Sequence, residues 1–243
     1  MFLSNSTLGE VVKSQVEFKL NTYMGAVASL ILVQIIGLLF SMNGTGSSGT
    51  SINNISIHVS IVSLDIVYIF VALWAFVIGN MITIKTNWHS DFSFVGTRLS
   101  SSLANIIVLC MISVFAGVTT FLSNYVLRVI LLLFGKVDYV KSSSIFDDPL
   151  NSILNIGVMI AFILMISAIG YFRGILVQNN KIFTFLLPVL LITILVTKSG
   201  QKLFQYVFIG NESILILIVK LVCISIVFFA LSILCSNRLE VRS

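Results

Sequence analysis

Three observations predict an all-α integral membrane protein with six transmembrane helices and an N-terminal interfacial helix, with a short further helix in a cytosolic loop. First, 58% of the 243 residues are hydrophobic and only 9% are charged, far from the balance of an ordinary soluble domain. Second, the apolar residues gather into repeated runs near the length needed to cross about 30 Å of hydrocarbon. Third, most of the charges fall between those runs rather than within them. The net charge of +5 therefore reports loop orientation and contact with anionic lipid, and no basic cluster is dense enough for a nucleic-acid arm.

The first twenty residues lack an apolar core of the signal-peptide type, so a cleavable leader is not expected. Residues 8–20 instead read as an interfacial helix, with Glu10, Lys13, Ser14 and Glu17 on one side and Leu8, Val11, Val12, Val16 and Phe18 mostly elsewhere. The first span covers about 23–40 and opens into 43–54, an uncharged stretch of Gly, Ser, Thr and Asn that reads as a flexible loop. The second span covers about 60–82 and contains Asp65.

The third apolar stretch, 99–134, would make roughly 54 Å of helix at 1.5 Å per residue and must break or project. It is too short for two full spans and a turn, so the reading is one span over 101–123 followed by an interfacial or re-entrant segment over 125–134. Spans four to six cover about 150–171, 182–197 and 213–235, with Pro188 expected to kink the fifth. The whole of 1–243 thus reads as a single transmembrane domain.

Six spans with both termini inside place Lys13, Lys19, Lys85, Arg98, Arg173, Lys181, Arg238 and Arg242 in the cytosol, against Lys136, Lys141, Lys198 and Lys202 outside. Splitting 99–134 into two spans gives the same excess, so charge alone does not choose between six and seven.

Several chemistries find no support in the residues. There is no GxxxxGK[ST] phosphate loop, GxSxG elbow or HExxH pair, and His58 and His89 fall on opposite membrane sides in the six-span reading. Cys110, Cys223 and Cys235 lie in or beside apolar runs without CxxC spacing and read as small buried hydrophobes. Neither a catalytic residue, a metal site nor a resident cofactor is expected.

Charges inside apolar runs are costly and point to a partner or a water-lined face. Asp65 and Lys220 fall at comparable estimated depths near the outer leaflet and could pair or line a pathway, although the long stem of Lys220 could also reach the headgroups alone. Arg128 reads as an interfacial anchor.

The connector 80–105, NMITIKTNWHSDFSFVGTRLSSSLAN, is the longest interior polar segment. Ser90 or Asp91 can cap a short helix, Phe92, Phe94 and Val95 would be exposed without a partner, and Arg98 can hold a carboxylate through two hydrogen bonds. Asp91, Phe92, Phe94, Val95 and Arg98 are accordingly the candidate partner-docking residues. Lys85 and Arg98 could equally be orientation charges of a plain cytosolic loop.

The order of an N-terminal interfacial helix, six spans and a docking-type first cytosolic loop resembles the permease subunits of ABC-2-type exporters over the whole chain. More narrowly, SDFSFVGTRLSSSLANI over 90–106 resembles the corresponding loop of Gram-positive permeases encoded beside separate ATPases, of the staphylococcal phenol-soluble modulin exporter type. The resemblance implies ABC ATPase subunits holding ATP and Mg, a second permease subunit (the same or different), surrounding membrane lipid and an amphipathic peptide substrate. It also implies a bacterial cell-membrane location and places 91–98 at the coupling helix. The chain departs from the pattern in its short outer loops and carries no substrate-specific motif. Two other classes share most of its features: an ion-coupled secondary transporter, which would favour midplane charges and inverted repeats, and a non-transporting peptide-immunity protein.

Overall fold

The computed structural model describes residues 8–42, 46–52, 55–61, 63–84, 98–134, 148–208 and 213–238. Among these residues are eight helices and one two-stranded hairpin. The helices are α1 (Leu8–Thr22), α2 (Met24–Ser41), α3 (Asp65–Met81), α4 (Arg98–Leu133), α5 (Pro149–Asn179), α6 (Phe183–Val196), α7 (Lys198–Phe208) and α8 (Ile214–Arg238). Strands β1 (Gly46–Ile52) and β2 (Ile55–Ile61) lie between α2 and α3.

Among the described residues, four helices are long and apolar enough to cross a membrane: Met24–Ser41, Leu99–Leu133, Pro149–Gln178 and Ile214–Ser236. Large apolar side chains such as Leu39, Leu73, Leu122 and Val219 remain exposed on the helix surfaces, as suits a chain solvated by lipid rather than water. The protein is built as a helical, membrane-embedded chain.

Helix α5 is the centre of the bundle and packs against α3, α4 and α8, while α2 lies against α3 and α1 against α4. The α3–α5 seam is made close by small residues. A Cβ at Gly170 would collide with the backbone carbonyl of Phe76, one at Gly79 with that of Ser167, and one at Gly174 with the Thr83 hydroxyl. Without side chains at these positions the two backbones meet directly. Such close approach supplies dispersion contact where lipid provides no hydrophobic drive for helices to associate. Val71, Trp74, Ala75 and Ile78 of α3 and Ile163, Ala168, Tyr171 and Ile175 of α5 are buried in the same core, together with residues of α2, α4 and α8 such as Leu30, Leu109 and Phe229. Gly37 similarly lets α2 approach Val67 of α3, and Phe40 stacks on Phe70 with ring centroids 5.9 Å apart.

The elements differ from the sequence expectation in four places. Part of 43–54, read as a flexible loop, is strand: β1 and β2 pair antiparallel from Gly46 opposite Ile61 to Ile52 opposite Ile55. Strand β2 has the alternation Ile55-Ser56-Ile57-His58-Val59-Ser60-Ile61, a period of two that suits a pleated strand and not a helix. The helix expected from residue 60 consequently begins at Asp65 and has 17 residues, about 26 Å at 1.5 Å per residue.

Helix α4 runs unbroken for 36 residues, roughly 54 Å, so 125–134 continues the helix instead of forming a separate interfacial or re-entrant segment. Ser123 is no breaker because its buried hydroxyl donates back to the Thr119 carbonyl at 2.9 Å. Helix α5 likewise extends past the expected end of the fourth span at 171 to Asn179, which puts Arg173 inside a helix. Finally, the stretch following the fifth apolar run is not only loop. Helix α6 continues through Pro188 to Val196, and α7 starts at Lys198.

Candidate functional site

The 80–105 connector meets the described fold at its two ends. Helix α3 closes with Ile82 and Thr83 in a turn whose Thr83 hydroxyl donates to the Asn80 carbonyl at 2.6 Å, and α4 opens at Arg98. Asp91, Phe92, Phe94 and Val95 lie outside the described residues, and Arg98 is placed as the first residue of α4.

Directly behind that start of α4 is a buried polar network that joins three helices. Lys19 of α1 is only 6% exposed, and its Nζ donates to Asn105 Oδ1 at 2.6 Å and to Ser101 Oγ at 3.2 Å, both on α4. Asn105 Nδ2 in turn donates to the hydroxyl oxygen of Tyr171 on α5 at 3.4 Å. The Tyr171 ring continues the contact to Phe229 of α8, with centroids 6.1 Å apart.

This arrangement follows from the register of α1. Glu10, Lys13, Ser14 and Glu17 form its exposed side, while Val12, Gln15 and Lys19, spaced by three and four residues, turn onto α4. An ammonium group taken out of water needs hydrogen-bond acceptors, and Asn105 and Ser101 provide them. The first helix is therefore packed on the bundle through a polar face, in addition to having a surface side.

A second polar contact lies at the end of the α3–α5 seam. Arg173 Nη1 donates to Asn80 Oδ1 at 3.3 Å and its guanidinium sits 5.7 Å from the Phe76 ring centroid. Farther along the bundle, Gln34 Nε2 of α2 donates to the hydroxyls of Thr119 and Thr120 on α4, and Trp74 Nε1 of α3 donates to Ser29 Oγ of α2 at 2.9 Å. These bonds fix helix registers where apolar packing alone is nondirectional.

Asp65 and Lys220 are not brought together. Asp65 is the first residue of α3, where its carboxylate accepts from the Ser63 hydroxyl and suits the positive end of the helix dipole. Lys220 lies six residues beyond the start of α8, roughly 9 Å along the helix. Its Nζ donates to the Tyr206 carbonyl of α7 at 3.3 Å and stands 4.0 Å from the Tyr206 ring centroid. The matched depth expected from the sequence fails because the hairpin shortens the apparent second span, and α5 packs against both α3 and α8.

Arg128, expected as an interfacial anchor, lies within α4, half-buried, with its guanidinium 5.4 Å from the Tyr125 ring centroid. Lys19, Asn105 and Tyr171 were not among the residues the sequence singled out. The only local signal was the spacing of Val12, Gln15 and Lys19, because Asn105 is 86 residues away. Among the described residues there is no group of three or more His, Cys, Asp or Glu side chains that could hold a metal ion.

Taken together, fold and contacts define the class as a multi-helix membrane protein whose polar side chains join helices to one another. Comparison with family models, curated proteins and solved structures returned no match.

Proposed function

We propose that the chain is a permease subunit of an ATP-driven ABC exporter that moves amphipathic, membrane-active peptides outward. The observation that carries this reading is the connector between α3 and α4, with Asp91, Phe92, Phe94, Val95 and Arg98 as a helix-forming, aromatic docking segment for a separate ATPase. In this reading α2, α3, α4, α5, α6 and α8 are the six passes, both termini face the cytosol, and the protein resides in a bacterial cell membrane. A second permease subunit completes the pathway, and ATP and Mg belong to the ATPase.

The network behind the connector supports a route for coupling. ATP binding and hydrolysis in the partner would displace the docked segment and with it the first turns of α4, where Ser101 and Asn105 hold Lys19 and Asn105 reaches Tyr171. Movement at the connector would thus load α1, α4 and α5 together. The passes would then exchange between states that differ in affinity for the peptide, and that difference is what turns hydrolysis into transport. No catalytic side chain is required in this chain.

Burial of one phenylalanine in a cleft of the ATPase is worth roughly 1.5–3 kcal/mol, so removing two aromatic anchors weakens docking by orders of magnitude. Affinity purification of the tagged full chain from its own membranes should recover an ATPase with the native sequence and lose it with Phe92→Ala/Phe94→Ala, while membrane insertion is unchanged. Equal ATPase recovery from both would reduce the segment to a connector and remove the main support for the reading.

A further inference from the structure

We propose that α7 is an interfacial helix whose Lys198, Lys202 and Tyr206 form a binding site for the phosphate of an anionic phospholipid headgroup. This inference is independent of the exporter reading.

The three residues are spaced by four, each step turning 40° beyond a full circle, so they share one stripe of the helix. All three are exposed, as are Gln201 and Gln205 beside them. The helix contains two lysines and no acidic residue. Two like charges one turn apart oppose helix formation, and an anion held between them removes that opposition. Lys198 also stands at the N-terminal end of an eleven-residue helix, where the backbone dipole adds to the attraction for an anion.

The neighbours of α7 decide the source of that anion. Helix α6 runs into it with Phe185, Leu186, Val189 and Leu190 exposed, and α8 leaves it with Leu215 and Val219 exposed. Both flanks therefore have hydrocarbon-compatible surfaces, and α7 separates them with a polar face. Lys220 of α8 holds the helix at this boundary: its ammonium reaches the Tyr206 carbonyl, near the C-terminal end of α7. A basic helix pinned at the junction of two apolar helices meets lipid phosphates before it meets dissolved ones.

The test compares retained lipids by native mass spectrometry of the purified full chain after equilibration with equimolar phosphatidylglycerol and phosphatidylcholine. The native sequence should retain the anionic lipid in roughly thirtyfold preference, the scale expected from two lysines at a charged surface. Lys198→Gln/Lys202→Gln should bring the ratio close to one, whereas Lys198→Arg/Lys202→Arg and the charge-matched control Lys136→Gln/Lys141→Gln should keep it. Soluble glycerol 3-phosphate should not displace the lipid. An unchanged ratio in Lys198→Gln/Lys202→Gln, an equal loss in the control, or displacement by the soluble phosphate would each overturn the proposal.

Discussion

Gly170→Ala tests the close seam on which the bundle rests. The added Cβ would meet the Phe76 carbonyl oxygen in a collision and lie 3.1 Å from the Phe76 Cα and carbonyl carbon. Ordinary carbon contacts optimise at about 3.5–4.0 Å, and the obstacle is backbone, which cannot rotate away as a side chain can. Helices α3 and α5 must therefore part by roughly 0.5–1 Å, a gap that forfeits about a quarter to a half of each dispersion contact it opens. Overpacking of this kind costs about 1–3 kcal/mol. For a chain of this size that corresponds to a fall of about 2–12 °C in Tm. The assay is the thermal transition of the detergent-solubilised full chain, followed by fluorescence-detected gel filtration. Gly25→Ala is the internal control, since nothing lies within 4 Å of a Cβ there. A Gly170→Ala Tm equal to that of Gly25→Ala would refute the claim that direct backbone contact joins α3 to α5.

Three further outcomes are expected. Asn105→Ala removes the 2.6 Å acceptor of the buried Lys19 ammonium and should cost about 1.5–3 kcal/mol, read as a lower Tm in the same assay. Lys220→Leu should speed amide hydrogen exchange across 198–208 by severing the bond to the Tyr206 carbonyl, whereas Asp65→Asn should leave that segment unchanged; equal effects would restore a link between the two charges. In a variant lacking the native cysteines, Ser142→Cys should react with an impermeant thiol reagent on intact cells and Thr86→Cys should not, with the reverse pattern inverting the orientation.

The long apolar runs made the helical membrane class readable without coordinates, since span-length hydrophobicity is a local property. The hairpin was equally written in the alternation from Ile55 to Ile61, but its apolar residues merged with the run that follows, and period two was absorbed into an apparent span. The continuity of α4 was hidden by Ser123 and Asn124, which look like an ending until Ser123 is seen to satisfy itself on Thr119. Lys19 marks the limit of local reading. It looks like one more surface charge on a short amphipathic helix, and only the fold shows that Asn105 and Ser101 surround its ammonium. The Asp65–Lys220 pairing failed for the same reason: depth was inferred from the edges of apolar runs, and Tyr206 stood outside every expected span.

Transport itself tests the central claim most directly. Inside-out vesicles containing the chain and its co-purified ATPase should accumulate a fluorescent amphipathic peptide when ATP and Mg are supplied, and should stop doing so with Phe92→Ala/Phe94→Ala. Accumulation driven by an imposed ion gradient without ATP would contradict the account in favour of a secondary transporter, and peptide binding without accumulation under either condition would contradict it in favour of an immunity protein.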